Sequence, residues 1–321
     1  MQRVAGSLLG QTWADGVKAP IIASVRILKI PTGYTASKRS RQSRVVSDVK
    51  RVGKISAALV LAAGATGCDR APVEWRGVAE RVALADDEVS APGDPRLVLR
   101  SDGSPALEPN ASATTSPAAA DTAACESSVR MTVSARAEVY GVWWSRRTNG
   151  SAALVAARSD DAGATWTAPV SVDSTDRWLV ACSRPAPAIA ADSASGYIHV
   201  TYFLHGPNGP GVFFSHSMER GELFHAPVPI VYGERPAETA VAAEDSFVVV
   251  AFEDPNSKRS QVSLAMSRTW GHIFDRERPE ASSLETTAER PLIALRDSVV
   301  AVAWRGQDRS MLARVGTIKR Q

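Results

Sequence analysis

Short apolar runs separated by turns of Gly, Pro, Asp and Ser recur from Val129 to the end of the chain. The runs are rich in β-branched and aromatic residues, and none shows the 3.6-residue apolar stripe of an amphipathic helix. This pattern predicts an all-β domain over residues 129–321.

Three kinds of landmark return at a similar interval along this domain. They are arginines that precede an apolar run (Arg130, Arg184, Arg235, Arg290), aromatic residues that end the next run (Trp144, Tyr202, Phe252, Trp304) and turns that begin with serine (Ser159, Ser217, Ser267). An interval of about 50 to 58 residues with several short strands is typical of a β-propeller blade. We expect four-stranded antiparallel blades, about 3.5 to 4 of them after Val129.

The first serine turn carries a specific motif. Its residues follow the pattern Ser-x-Asp-x-Gly-x-Thr-Trp, with Ser159, Asp161, Gly163, Thr165 and Trp166 at the defined positions. Ser and Asp side chains can accept hydrogen bonds from turn amides, and glycine permits a positive φ. The turns at 217–224 and 267–274 are degenerate copies, and the motif predicts a structural turn between the third and fourth strands of a blade.

This motif resembles the Asp box of the sialidase superfamily, whose catalytic domain is a six-bladed propeller. The resemblance implies hydrolysis of a terminal α-linked sialic acid, with three arginines on the sugar carboxylate, a tyrosine nucleophile activated by glutamate, and an aspartate acid/base. The register offers Arg184, Arg235 and Arg290 as the carboxylate clamp. The favoured alternative is a repeat arginine that pairs with a carboxylate of the neighbouring blade.

Other parts of the sialidase pattern do not match this chain. Tyr202 occupies the aromatic slot of its blade, so we expect it to be a core residue and not a nucleophile. The Phe/Tyr-Arg-Ile-Pro motif of the family is missing from the sequence. We therefore do not expect classical sialidase activity.

The N-terminal segment has the features of an export signal. Residues 1–67 carry eleven Lys or Arg and two Asp, and an apolar stretch at 55–67 follows the basic residues 50–54. That stretch is too short to span a bilayer. Ala65-Thr66-Gly67-Cys68 resembles a lipobox, which implies lipidation of Cys68 and an extracytoplasmic, membrane-anchored protein of the bacterial cell envelope. The alternative is a soluble protein with an apolar N-terminal helix.

The segment at 68–128 is rich in Ala, Pro and Ser, and its composition predicts a polar tether between the lipid and the propeller. One apolar run, 95–100, is a candidate strand that completes the last blade. Cys125 and Cys182 both precede inner strands of consecutive blades, which favours a disulfide in an oxidising compartment over two buried thiols.

Charge and side-chain chemistry narrow the function. The overall charge is +3, but residues 68–321 carry 26 basic and 32 acidic residues, which argues against a nucleic-acid partner. The five histidines lack ligand spacing along the chain, so the sequence predicts no metal site and no cofactor.

Three functions remain open at this stage. The leading hypothesis is a lipid-anchored propeller that binds a glycan or a protein without catalysis. The alternatives are an exo-sialidase-type glycoside hydrolase and a scaffold or assembly factor at the membrane.

Overall fold

Eighteen strands and one 3₁₀ turn make up the regular structure of a computed structural model that describes residues 71–83, 95–110, 113–283 and 286–319. The elements are β1 Val73–Trp75, β2 Glu80–Arg81, β3 Arg96–Leu99, β4 Pro105–Glu108, the 3₁₀ turn Glu126–Ser128, β5 Arg130–Val133, β6 Val139–Arg146, β7 Ala152–Ser159, β8 Val170–Asp173, β9 Ala188–Ala191, β10 Ile198–Gly206, β11 Gly209–Ser217, β12 Val228–Tyr232, β13 Thr239–Glu244, β14 Phe247–Glu253, β15 Val262–Ser267, β16 Ala288–Arg296, β17 Val299–Gly306 and β18 Met311–Ile318. The predicted signal segment and Cys68 lie outside the described residues. No helix in those four ranges has the length and apolar character needed to cross a bilayer.

The strands form antiparallel sheets arranged as the blades of a β-propeller. Strands β5–β8 and β9–β12 each form a four-stranded sheet, and β13–β15 form a three-stranded one. Strands β16–β18 form a further sheet together with β1 and β2. Strands β3 and β4 pair in a separate hairpin. The described residues thus form five sheets. Four of them are built mainly from strands after Val129, which agrees with the 3.5 to 4 blades predicted there, and the fifth is the β3–β4 hairpin.

The central strands of the sheets are apolar along their whole length because another blade packs on each face. In β10 and β14 nearly every residue is buried, so inward and outward positions cannot be told apart by hydropathy. The four repeat aromatics, Trp144, Tyr202, Phe252 and Trp304, are 1% exposed or less. The prediction that Tyr202 fills a core slot is confirmed.

The three serine turns share one backbone geometry although only the first has the full motif. Ser159 Oγ accepts from the amide of Gly163 at 2.8 Å, Ser217 Oγ from Gly221 at 3.0 Å and Ser267 Oγ from Gly271 at 3.0 Å. Each glycine has a positive φ, as does the residue before it. Serine and glycine are therefore the residues that define the turn, and each turn follows the third strand of its sheet.

The acidic position of the turn can be replaced by a hydroxyl. In the first turn, Asp161 accepts from the amide of Thr165 at 2.8 Å and from its hydroxyl at 2.6 Å. The hydrogen bonds from Thr165 lower the pKa of Asp161 to about 2. In the third turn, Thr269 Oγ1 accepts from the amide of Ile273 at 2.9 Å and so takes the place of the carboxylate.

The segment at 68–128, which composition predicted to be a tether, is folded where it is described. Val73–Trp75 pairs with the C-terminal strand β18, and Val73 packs in the same core as Val300 and Ile318. Strand β1 thus completes the last sheet. Composition gave no sign of this pairing because β1 and β18 lie at opposite ends of the domain, and a short edge strand needs few apolar residues.

The candidate strand at 95–100 is present as β3, but its partner is β4 and not the last sheet. The turn between the two strands contains Asp102, which accepts from the Ser104 amide at 2.8 Å, and Gly103 at φ +79°. Leu97 and Leu107 pack on the face of β16–β18. A stretch predicted to be a linker is therefore a two-stranded blade closed by an Asx-type turn.

Cys125 and Cys182 form a disulfide, with Cα atoms 5.1 Å apart. The Cys125 amide donates to the carbonyl of Trp144 at 2.8 Å, which places this cysteine against β6. The bond joins the segment before β5 to the segment before β9. It therefore links the first two four-stranded sheets at equivalent places.

The role of β1 can be tested with two valines of the same segment. Val73 is 3% exposed and Val78 is 82% exposed. We expect Val73→Asp to lower the free energy of unfolding by about 2 kcal/mol or more, because a carboxyl replaces a buried apolar side chain. Val78→Asp should change it by less than about 0.5 kcal/mol. Urea unfolding measures both, and equal values would show that β1 is not part of the core.

Candidate functional site

The inner strands of all five sheets line one cavity of about 300 Å³. Strand β9 contacts both β5 and β13, and β16 contacts both β13 and β3, so the inner strands follow one another in the order β5, β9, β13, β16 and β3 around this space. The lining comes mainly from the first residues of these strands and the residues just before them. It includes Arg96 and Leu97, Arg130–Val133, Pro187–Ile189, Glu238–Val241 and Arg290–Ile293, with Arg305 and Met311 from β17 and β18.

Polar and apolar groups occupy different strand positions in the cavity. Charged residues stand at or near the beginning of β3, β5, β13 and β16, and apolar residues such as Met131 and Ile293 follow them, whereas β9 contributes only apolar residues. Inner strands of a propeller run in the same direction, so their beginnings meet at one mouth. The cavity therefore has a charged mouth and an apolar wall.

The mouth is rich in guanidinium groups. Within the described chain, the lining holds four arginines and one glutamate: Arg96, Arg130, Arg290, Arg305 and Glu238. Two of the arginines also have carboxylate partners outside the lining, since Arg96 contacts Glu108 at 2.7 Å and Arg305 contacts Glu289 at 3.0 Å. The excess of guanidinium groups in the lining is suited to an anionic ligand.

Two backbone interactions position the arginines. The guanidinium of Arg130 donates to the carbonyl of Val129 at 2.8 Å. Arg290 has φ +52° at a bulge in β16, and its amide donates to Glu253 Oε1 at 2.9 Å. Burial raises the pKa of Glu253, and the charges of Glu238 and Glu289 act in the same direction. Glu253 thus fixes the strained backbone at which Arg290 enters the lining.

The structure does not bring the three predicted clamp arginines together at the cavity. Arg290 is in the lining, but Arg184 and Arg235 are not. Arg184 and Asp176 form an ion pair at 2.6 Å with both side chains fully buried. Arg235 donates to the carbonyl of Asp254 and to Ser257. Arg184 is thus a structural arginine, as the alternative predicted, but its partner Asp176 lies eight residues earlier in the same loop between β8 and β9.

The clamp prediction failed because the arginine landmarks are not equivalent in three dimensions. Arg184 and Arg235 each stand four residues before an inner strand, whereas Arg130 begins β5 and Arg290 lies inside β16. The repeat intervals of about 50 to 55 residues vary enough that a four-residue difference in position relative to the strand cannot be seen from them. Arg130 differs from the other three arginines in sequence because no proline follows it. No local sequence feature identified Arg96 or Arg305 as residues of the cavity lining.

The described lining contains no tyrosine and no aspartate. Tyr202 is buried in the core and its hydroxyl donates to Asp173 at 2.8 Å. Burial, with the Asp173 charge next in effect, raises the pKa of Tyr202 well above its ordinary value. This tyrosine is therefore neither accessible nor easily ionised.

Neither a known protein-family profile nor a curated protein matches the chain. Solved structures with a similar fold include Hadza microbial sialidase Hz136, with 15% identity, a TM-score of 0.47, and coverage of 60% of this chain and 45% of the sialidase. The NanB sialidase from Streptococcus pneumoniae has 11% identity, a TM-score of 0.41, and coverage of 59% and 49%.

A xylan β-1,4-xylosidase from Bacillus halodurans C-125 has 12% identity, a TM-score of 0.40, and coverage of 71% and 53%. The chain spans about half the length of these proteins. At such identities a similar fold carries no information about the reaction, so function has to be argued from the site.

The structural role of Arg184 predicts a large effect on stability. We expect Arg184→Ala to lower the free energy of unfolding by about 3–5 kcal/mol, because Asp176 is left buried without its partner. Arg235→Ala removes hydrogen bonds to neutral groups only and should cost about 1–2 kcal/mol. Chemical unfolding of both variants measures the difference. An Arg184→Ala protein as stable as the parent would contradict the buried-pair assignment.

Proposed function

We propose that this protein is an extracytoplasmic propeller that binds an acidic sugar of a glycan at its central cavity and does not hydrolyse it. The observation that carries the proposal is the cavity mouth with Arg96, Arg130, Arg290 and Arg305. Guanidinium groups bind carboxylates bidentately, and several of them around one opening select an anionic ligand.

The size and walls of the cavity favour a single terminal sugar. A volume of about 300 Å³ is at the lower end of ligand pockets, which span about 300–1,000 Å³. Apolar side chains along the inner strands, such as Met131 and Ile293, suit the non-polar face of a sugar ring. The proposed ligand is therefore a glycan end that carries a carboxylate.

The composition of the lining favours binding over catalysis. A retaining sialidase needs a tyrosine beside a glutamate and a separate acid/base carboxyl. The described lining offers Glu238 as its one carboxyl and has no tyrosine. Binding without cleavage is the function that these groups can perform.

Lipid anchoring through Cys68 is part of the proposal and would place the propeller close to the membrane. Strand β1 begins at Val73, five residues after Cys68. Five extended residues reach at most about 17 Å. The last sheet would then lie near the lipid headgroups, whereas the tether expected from composition would have allowed a much larger distance.

Ligand binding is tested with residues 69–321 on an array of acidic and neutral glycans. We expect binding to acidic termini only, and a loss of about tenfold or more in affinity for Arg130→Ala and Arg290→Ala, because a charge-assisted hydrogen bond contributes about 1.5–3 kcal/mol. Arg136→Ala is the matched control, since Arg136 is exposed in the β5–β6 turn and outside the lining.

A fluorogenic sialoside assay on the same protein completes this test. We expect no release of 4-methylumbelliferone. Release that disappears in Arg290→Ala would replace binding by hydrolysis as the function of the cavity. A protein that binds no acidic glycan, or binds neutral glycans equally well, would contradict the proposed ligand class.

A further inference from the structure

Three histidines meet at the serine turns, although their positions along the chain show no metal-ligand spacing. His216 is in β11, His225 follows the second serine turn and His272 belongs to the third. One ring nitrogen from each lies within 4.8 Å of the others. The ring centroids of His216 are 4.5 Å from His225 and 4.6 Å from His272. None of the three lines the central cavity.

The backbone around His216 and His225 is held by hydrogen bonds. The His225 amide donates to the carbonyl of His216 at 2.9 Å, and Ser215 Oγ donates to the carbonyl of His225 at 2.7 Å. These bonds fix the start and the end of the second serine turn on the same strand. The two imidazoles therefore project from a rigid part of the second four-stranded sheet.

His272 reaches the pair from the next sheet because of the glycine before it. Gly271 has φ +88°, and a Cβ at this position would lie 2.3 Å from the ring of Phe214. Only glycine permits the third serine turn to approach β11 this closely. The approach places His272 beside His216 and makes the cluster a junction between two sheets.

The imidazole of His216 has an unused nitrogen. Its Nε2 atom is buried and has no hydrogen-bond partner among the described residues. A buried polar atom without a partner carries a desolvation cost that a bound ligand can offset.

We propose that His216, His225 and His272 bind a divalent transition-metal ion of the zinc class. Imidazole nitrogen suits Zn²⁺, Cu²⁺ and Ni²⁺, whereas Mg²⁺ and Ca²⁺ prefer oxygen ligands. With Zn–N bonds of about 2.0–2.1 Å, tetrahedral donors stand roughly 3.3 Å apart. Rotation of the exposed His225 and His272 side chains brings the three nitrogens from within 4.8 Å to that separation.

The ion would join the two sheets and keep one coordination position open. Three protein ligands leave a fourth position on a tetrahedral ion, and it faces solvent because two of the histidines are exposed. The site is separate from the central cavity, so it does not depend on the proposed glycan function. Its first effect is on stability, since a ligand that binds only the folded state stabilises it.

Titration of the full chain, without a polyhistidine tag and freed of metal, tests the site. We expect one Zn²⁺ per chain by isothermal titration calorimetry, and a loss of roughly tenfold or more in affinity for His225→Ala and for His272→Ala, each of which removes one of three ligands. His205→Ala is the matched control, since His205 stacks on Trp178 away from the cluster. It should bind Zn²⁺ like the parent.

Two further readouts separate coordination from a change in fold. Zn²⁺ should raise the melting temperature of the parent but not of His272→Ala, and Co²⁺ should give the intense visible absorption of a four-coordinate site. Mg²⁺ should do neither. Unchanged Zn²⁺ affinity in His272→Ala, or an equal loss in His205→Ala, would overturn the proposal.

Discussion

The arrangement of the blades depends on the close approach of each serine-turn glycine to the structure before it. A Cβ on Gly163 would lie 2.4 Å from the Cβ of Ala113, and one on Gly271 would lie 2.3 Å from the ring of Phe214. A Cβ on Gly221 would lie 3.3 Å from the ring of Tyr140. All three glycines have a positive φ, so the same residue supplies both the turn and the space. The serine hydroxyl then accepts a hydrogen bond from the glycine amide, and each of the three sheets with a serine turn packs on the preceding part of the chain.

Both candidate sites depend on these glycine contacts between successive parts of the chain. They hold successive sheets against one another, and their inner strands surround one cavity whose lining includes Arg130 and Arg290. On the serine-turn side they bring a histidine of one turn against the strand of the neighbouring sheet. A repeat that serves packing thus creates two places where side chains from different blades meet.

Much of the fold could be predicted from the sequence because each blade is a local unit. The strand order of the second repeat, the core position of Tyr202 and the turns after the third strands all depend on nearby residues. Strand β1 could not be predicted, since Val73 pairs with Ile318 at the far end of the chain. The arginine clamp was wrong because the roughly 50-residue repeat interval does not reveal that Arg184 and Arg235 stand four residues before their strands. The histidine cluster was missed because its residues come from two different sheets and meet only in the folded protein.

The role of the glycine contacts in packing the blades is tested most directly by comparing Gly271→Ala with Gly196→Ala. Both glycines have a positive φ, +88° and +74°, but a Cβ meets Phe214 at the first and nothing within 4 Å at the second. An alanine held in the left-handed backbone conformation lowers the free energy of unfolding by about 1–2 kcal/mol at either position. From urea unfolding we expect Gly271→Ala to lose a further ~1–3 kcal/mol through overpacking. Equal losses in the two variants would contradict a fold that rests on these glycine contacts.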